Sequence, residues 1–174
     1  MEEERKSKWA SCDPSNNMGW AFWENDNLLY TATLRRMGKK GKYRYNTSIQ
    51  EHIYDSKWMA VSEILKDAAG VIIEEGFGRF ATAVKSQSGY REYIHAVCDY
   101  YTHVGTPKRF EVINVAEWRR VIKETYEVSW PATTERKKAL SMQLVKKIYD
   151  VDVSDDESDA VLIGLAAIKM GVKL

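Results

Sequence analysis

Four acidic residues of this 174-residue chain each sit where a predicted element begins or ends: Asp13, Glu74, Asp156 and Asp159. Asp13 closes the first strand-like segment and is followed by Pro14-Ser15, a turn signal. Glu74 closes Val71-Ile72-Ile73, a run apolar enough for a buried central strand. Asp156 and Asp159 are three residues apart at the start of the last helix-like segment, so they project from one face a turn apart. Each alone has an ordinary reading: a turn, a solvated strand end, or acids favoured by a helix N-terminus. Together they suggest one chemistry. Clustered carboxylates repel and lose solvation, so they persist best around a cation. Mg²⁺ takes hard oxygen ligands. Two such ions, roughly 4 Å apart, can activate a water and steady the leaving oxygen of a phosphodiester.

The elements that must position these acids follow from periodicity. Trp9–Asp13, Met18–Glu24 and Leu28–Leu34 read as three antiparallel strands, the latter two joined by a turn at Asn25-Asp26-Asn27. A flexible basic loop is expected over 37–46. From about Asp55, Trp58, Val61, Leu65 and Ala68 recur at helical spacing, with Gly70 closing the helix. After Val71–Glu74 come a helix over Ser88–His103, a strand over Arg109–Asn114 and a helix over Ala116–Tyr126. Pro131 breaks the chain, and helices follow over Ala132–Tyr149 and Asp156–Met170. The last is apolar nearly all round beyond its first turn, which predicts burial. This order predicts an α/β domain over residues 1–174, with a mixed sheet of three antiparallel then parallel strands and helices on both faces.

Composition narrows the function classes. No apolar run reaches the roughly 20 residues needed to cross a bilayer, and Met1–Lys6 is acidic then basic with nothing apolar behind it, unlike a secretory signal. A cytoplasmic location is expected, with no membrane partner. Cys12 and Cys98 lie far apart and read as buried reduced thiols. His52, His95 and His103 show no ligand spacing. The net charge is only +1, yet the six basic residues Arg35, Arg36, Lys39, Lys40, Lys42 and Arg44 fall in one run with no acid, and Arg136, Lys137 and Lys138 form a second cluster. Basic surfaces beside an acidic patch suit a metal-dependent phosphodiesterase, with lysine and arginine holding DNA and carboxylates holding the cation.

Three motifs, in order along the chain, resemble those of RuvC-type Holliday-junction resolvases, which have the RNase H-like fold. Cys12-Asp13-Pro14-Ser15 with Gly19-Trp20-Ala21 is similar to the family's opening Asp-Pro-Gly and Gly-aromatic strands. Ile72-Ile73-Glu74-Glu75-Gly76-Phe77 is similar to its Ile-Glu-Gln-x-Phe segment, and Asp156-Glu157-Ser158-Asp159-Ala160 to its closing Asp-x-x-Asp-Ala. Ser15 and Glu75 depart from the family's Gly and Gln. Glu74 is preferred to Glu75, which points to the other side of a strand, and Asp156 to Asp155.

The resemblance implies a structure-selective endonuclease that resolves four-way or other branched DNA through paired symmetric nicks, as a homodimer. Asp13, Glu74, Asp156 and Asp159 would bind two Mg²⁺ ions, replaceable by Mn²⁺, with Asp13 bridging them. Lys123 and Lys137 would occupy the family's active-site lysine positions, Arg136 being a neighbouring candidate. Phe77 would match a phenylalanine near the junction centre. Arg35, Arg36, Lys39, Lys40, Lys42, Arg44, Arg136 and Lys138 would hold DNA. The helix over Ser88–His103, with Tyr90, Tyr93, Tyr100 and Tyr101, is the candidate dimer surface. An RNA–DNA hybrid hydrolase, a fork-debranching nuclease and a non-catalytic binder of branched DNA are the alternatives.

Overall fold

The computed structural model of the chain describes residues 7–39, 41–75, 81–172 and 174, with 81–88 as backbone only. Lys40 and Phe77 lie outside the described residues. Strands β1 (Lys8–Asp13), β2 (Asn17–Glu24), β3 (Asn27–Met37), β4 (Lys42–Thr47) and β5 (Glu51–Tyr54) lead to helix α1 (Lys57–Leu65). Strand β6 (Gly70–Glu75), helix α2 (Ala81–His103), strand β7 (Arg109–Asn114), and helices α3 (Val115–Tyr126), α4 (Thr134–Tyr149) and α5 (Asp155–Lys169) complete it. The sheet has seven strands in the order β5-β4-β3-β2-β1-β6-β7. β6 pairs parallel with β1 and β7, and every other pairing is antiparallel.

The expected mixed sheet is therefore present, with one correction. The basic stretch over 37–46 is no loop: β3 continues to Met37, and Lys42–Thr47 pairs back onto it, Arg35 opposite Arg44 and Arg36 opposite Tyr43. Two further boundaries move. Gly70 does not cap a helix, since α1 ends at Leu65 and Gly70 opens β6; a Cβ there would lie 2.7 Å from the Arg109 carbonyl oxygen of the neighbouring strand. Helix α2 begins at Ala81 rather than Ser88.

Strand alternation splits the core in two. Ala10, Cys12, Trp20, Leu34, Val71 and Ile73 face α1 and α2. Trp9, Ala21, Trp23, Ile72 and Ile113 face α3, α4 and α5. Helix α5 lies against this second face with Ala160 through Ala167 all buried, as its composition predicts. Both cysteines are buried and free.

Helix α5 packs close against the sheet because Gly164 and Ser11 allow it. A Cβ on Gly164 would fall 2.5 Å from the Trp23 indole. Ser11 donates from Oγ to the Ala160 carbonyl at 2.7 Å and accepts from Trp23 Nε1 at 2.8 Å. All three groups are fully buried. Ser11→Ala would strand the indole N–H in the core, so it is expected to destabilise the fold by about 1–3 kcal/mol. A lower urea midpoint at unchanged slope would register it.

Candidate active site

The ends of β1 and β6 and the start of α5 meet at one end of the sheet. Cys12 pairs with Ile73, so the next step along this parallel register sets Asp13 beside Glu74. Asp13 also pairs across to Gly19 of β2. Gly19 is where α5 makes its closest approach: a Cβ there would fall 1.8 Å from the Asp156 carbonyl oxygen. The missing side chain lets the helix bring its first turn over the end of β1. Alternation turns Asp13 and Glu74 toward the α3–α5 side, in phase with Trp9 and Ile72. Glu75 turns to the opposite side, where it lies 3.6 Å from Arg91 of α2.

The first turn of α5 is built by its own N-terminus. Ser154 caps the Glu157 amide, and the Glu157 carboxylate returns to the Ser154 backbone N–H at 2.9 Å, a full capping box. The other Glu157 oxygen accepts from Thr31 Oγ1 of β3 at 2.8 Å, which ties the turn to the sheet.

The four acids feel one another. Burial raises Asp13 well above the usual carboxylate value, and the charges of Glu74, Asp159 and Asp156 raise it further, against the pull of Lys138. Glu74 is pushed up to about 7, mainly by burial, with Asp159 adding to the rise and Trp118 and Arg119 opposing it. Asp159 is raised by burial against a hydrogen bond from Ser141 and the charges of Arg119 and Lys138. Asp156 is raised by burial and by Asp155, against Lys138 and Arg35.

Among the described residues, three of the four carboxylates have a hydrogen-bond or ion-pair partner. Glu74 accepts from Trp118 Nε1 of α3 at 2.7 Å, Asp159 from Ser141 Oγ of α4 at 2.7 Å, and Asp156 lies 3.6 Å from the Arg35 guanidinium. Asp155 accepts from Lys138, which lowers the aspartate's pKa and raises the lysine's. As these side chains stand, no three His, Cys, Asp or Glu residues among those described form a ready-made ion site. The donor chemistry nevertheless fits a hard divalent cation, being all oxygen, anionic and poorly solvated.

The basic residues stand at different distances from the acids. Lys138, expected to hold DNA, is the lysine of α4 whose charge acts on Asp13, Asp156 and Asp159. Lys137 is half-buried and Arg136 exposed on the same helix. Lys123 is exposed on α3, and it is Arg119, one turn earlier, whose charge reaches Glu74 and Asp159. The Arg119 guanidinium lies over the rings of Trp118 and Trp130, at 5.0 and 5.6 Å from their centroids, and Trp130 Nε1 donates to the Arg119 carbonyl at 2.8 Å. Sequence reasoning missed Arg119, Trp118 and Ser141. The adjacent Trp-Arg pair was the available signal, since an indole N–H in a core needs an acceptor and a guanidinium stacks on indole.

The basic run divides between the two faces of the β3–β4 hairpin. Arg35 and Arg44 are on the acid side; Arg36 and Tyr43 are on the other. Arg44 lies 3.4 Å from Glu51 and Lys42 3.5 Å from Asp55, exposed pairs of little energetic weight. Lys39 is exposed in the hairpin turn.

The fold is shared with a solved protein. Thermus thermophilus RuvC, solved in complex with a Holliday junction substrate, matches with a TM-score of 0.54 at 14% identity, over 95% of this chain and 96% of the RuvC chain. A second Thermus thermophilus RuvC structure matches with a TM-score of 0.47 at 15% identity, over 94% of this chain and 96% of its own. The expected RNase H-like α/β fold is thus the observed one, and at this identity the likeness is one of fold. No family model matches the sequence, and no curated protein matches it.

Proposed function

We propose that the chain is a metal-dependent endonuclease that cuts branched DNA, four-way junctions foremost, and that it works as a homodimer placing two cuts symmetrically. One observation carries the reading: the ends of β1 and β6 and the first turn of α5 meet at one end of the sheet, so that Glu74, Asp156 and Asp159, from two segments far from Asp13 in sequence, act on its charge. A helix N-terminus accounts for acids at the start of α5, and a cation bound beside a phosphate accounts for their lying next to the buried Asp13 and Glu74. The shared fold with RuvC over nearly the whole chain adds support.

Asp13, Glu74, Asp156 and Asp159 would hold two Mg²⁺ ions, which bring Lewis acidity to a phosphodiester and stabilise charge on its oxygens. The chain's own residues do the rest. Asp13 is the fixed member, on a strand paired on both sides. Trp118 and Ser141 hold Glu74 and Asp159 in orientation. Lys138 and Arg119 limit the negative charge, so that a polyanionic strand can approach. Arg35 and Arg44 continue a cationic surface across the hairpin for the DNA backbone. Lys123, Arg136 and Lys137 lie on α3 and α4, where they would add to it.

The test is nicking of a labelled four-way junction with and without Mg²⁺, against linear duplex, fork and RNA–DNA hybrid. Junction cutting that a chelator stops is the expected result. No cutting of any branched DNA refutes the proposal, and cutting of hybrid alone redirects it to a different RNase H-like nuclease.

A pH dependence follows. Carboxylates whose folded-state pKa values are raised favour the fold when protonated. Their contribution is complete below the ordinary carboxylate range and is lost as pH rises through the folded values. Glu74 places this window between 4.5 and about 7, and Asp13 is shifted in the same sense. Metal-free protein should therefore lose thermal stability from pH 5 to pH 8 in this respect. Mg²⁺, which needs the ionised acids, should raise Tm more at pH 8 than at pH 6. Scanning calorimetry at the two pH values, with and without Mg²⁺, measures both.

A further inference from the structure

The far side of the same sheet end carries the opposite arrangement. Arg36 of β3 and Lys57 at the start of α1 line one cavity, and burial, with the Arg36 charge adding to it, lowers the Lys57 pKa. Neither has an ion-pair partner among the described residues. The Lys57 amine is surrounded by aromatic rings, 4.1 Å from the centroid of Tyr90, 5.2 Å from Tyr93 and 5.7 Å from Tyr43. A cavity of about 380 Å³ opens here, with Asn16, Asn17, Arg36, Tyr43, Lys57 and Tyr90 among its lining residues. Asn16 belongs to the turn that follows Asp13, and it accepts a hydrogen bond from the Tyr90 hydroxyl. The cavity and the acids thus lie on opposite faces of one strand end, joined by a turn of a few residues.

Two cations that line one cavity with no carboxylate paired to either among the described residues make it a place for an anion. The ring-lined wall narrows the anion's identity. Inorganic phosphate would use the cations and leave the tyrosines idle, whereas a nucleotide uses both, its phosphate on the cations and its base against a ring. We propose that this pocket takes one unpaired nucleotide of bound DNA, its phosphate between Arg36 and Lys57 and its base stacked on the tyrosine wall. This rests on the reading of the chain as a nuclease for branched DNA and deepens it, and it gives Tyr90 and Tyr93 to DNA, leaving Tyr100 and Tyr101 of the same helix for the dimer surface expected from the sequence. A junction supplies what a plain duplex lacks, bases that can leave the stack at a branch point. Capture of such a base would let the protein select branched substrates before any bond is cut, through a surface separate from the acids.

The test uses a four-way junction with one unpaired 2-aminopurine at the branch, in chelator so that nothing is cut. Binding of the wild-type chain should quench the 2-aminopurine by stacking, and binding of linear duplex bearing the same base, paired, should not. Arg36→Gln, at an exposed side chain whose loss leaves the core intact, should weaken binding of the unpaired-base junction about tenfold and reduce its salt dependence by about one phosphate contact. Tyr90→Leu should abolish quenching, with circular dichroism confirming the fold. Tyr43→Leu gives a second reading of the same wall if Tyr90→Leu does not fold. Unquenched 2-aminopurine with wild-type protein, or Arg36→Gln binding at full strength, overturns the pocket. The same proteins are assayed for Mg²⁺-dependent nicking. Nicking without quenching leaves the nuclease reading and removes the pocket, and quenching without nicking of any substrate does the reverse.

Discussion

Asp13→Asn is expected to reduce Mg²⁺-dependent nicking of a four-way junction by on the order of 10³-fold or more, with junction binding in chelator unchanged. The substitution keeps size and removes only charge, at the residue on which Glu74, Asp159 and Asp156 all act. It should also separate this site from a structural one. An aspartate held well above its ordinary pKa by burial and by like charges destabilises the ionised, metal-free fold at neutral pH. The asparagine variant should therefore melt higher than wild type without metal, and should lose most of the stabilisation that Mg²⁺ confers. A structural aspartate would show the opposite on both counts. Nicking rates, gel shifts and melting curves from one preparation decide it, and retained cutting refutes the role of Asp13.

Gly19→Val should be the most damaging single change to the scaffold. A Cβ at Gly19 would meet backbone on the other side, 1.8 Å from the Asp156 oxygen, 2.3 Å from its carbonyl carbon and 2.9 Å from the Glu157 nitrogen. No rotamer relieves a clash with main chain, so α5 must move off the sheet. Overpacking of this kind costs about 3 kcal/mol, a fall in Tm of roughly 6–12 °C for a domain of this size. Activity should fall further than stability, because the displaced turn carries Asp156, with Asp159 one turn behind. Gly89→Ala is the control: nothing lies within 4 Å of a Cβ there, and α2 should tolerate or gain from it. A Gly19→Val protein of wild-type Tm would show that the close approach of α5 is not required.

Much of this architecture was legible in residue patterns. The strands around Asp13 and Glu74 and the buried last helix are written in runs of apolar residues, which read the same whatever packs on them. The β4–β5 hairpin was not legible. Lys42-Tyr43-Arg44-Tyr45-Asn46-Thr47 alternates cation with aromatic or polar residues, and at a sheet margin little burial enforces that alternation. Gly70 misled because a glycine after a helical run suggests a cap, whereas here it admits the Arg109 carbonyl of the adjacent strand. Within the site, the pleat was enough to favour Glu74 over Glu75, since alternation is a local rule. Which of Arg136, Lys137 and Lys138 would face the acids depends on the rotation of α4 against α5. The contacts that set that rotation, Ser141 on Asp159 and Lys138 on Asp155, are long-range. The same holds for Arg119 against Lys123 on α3.

Indole, hydroxyl and guanidinium groups of the chain itself hold Glu74, Asp159 and Asp156. A carboxylate held in this way has already given up part of its freedom to swing, so on the proposed reading an entering ion would meet ligands already oriented, with little rotamer entropy left to lose.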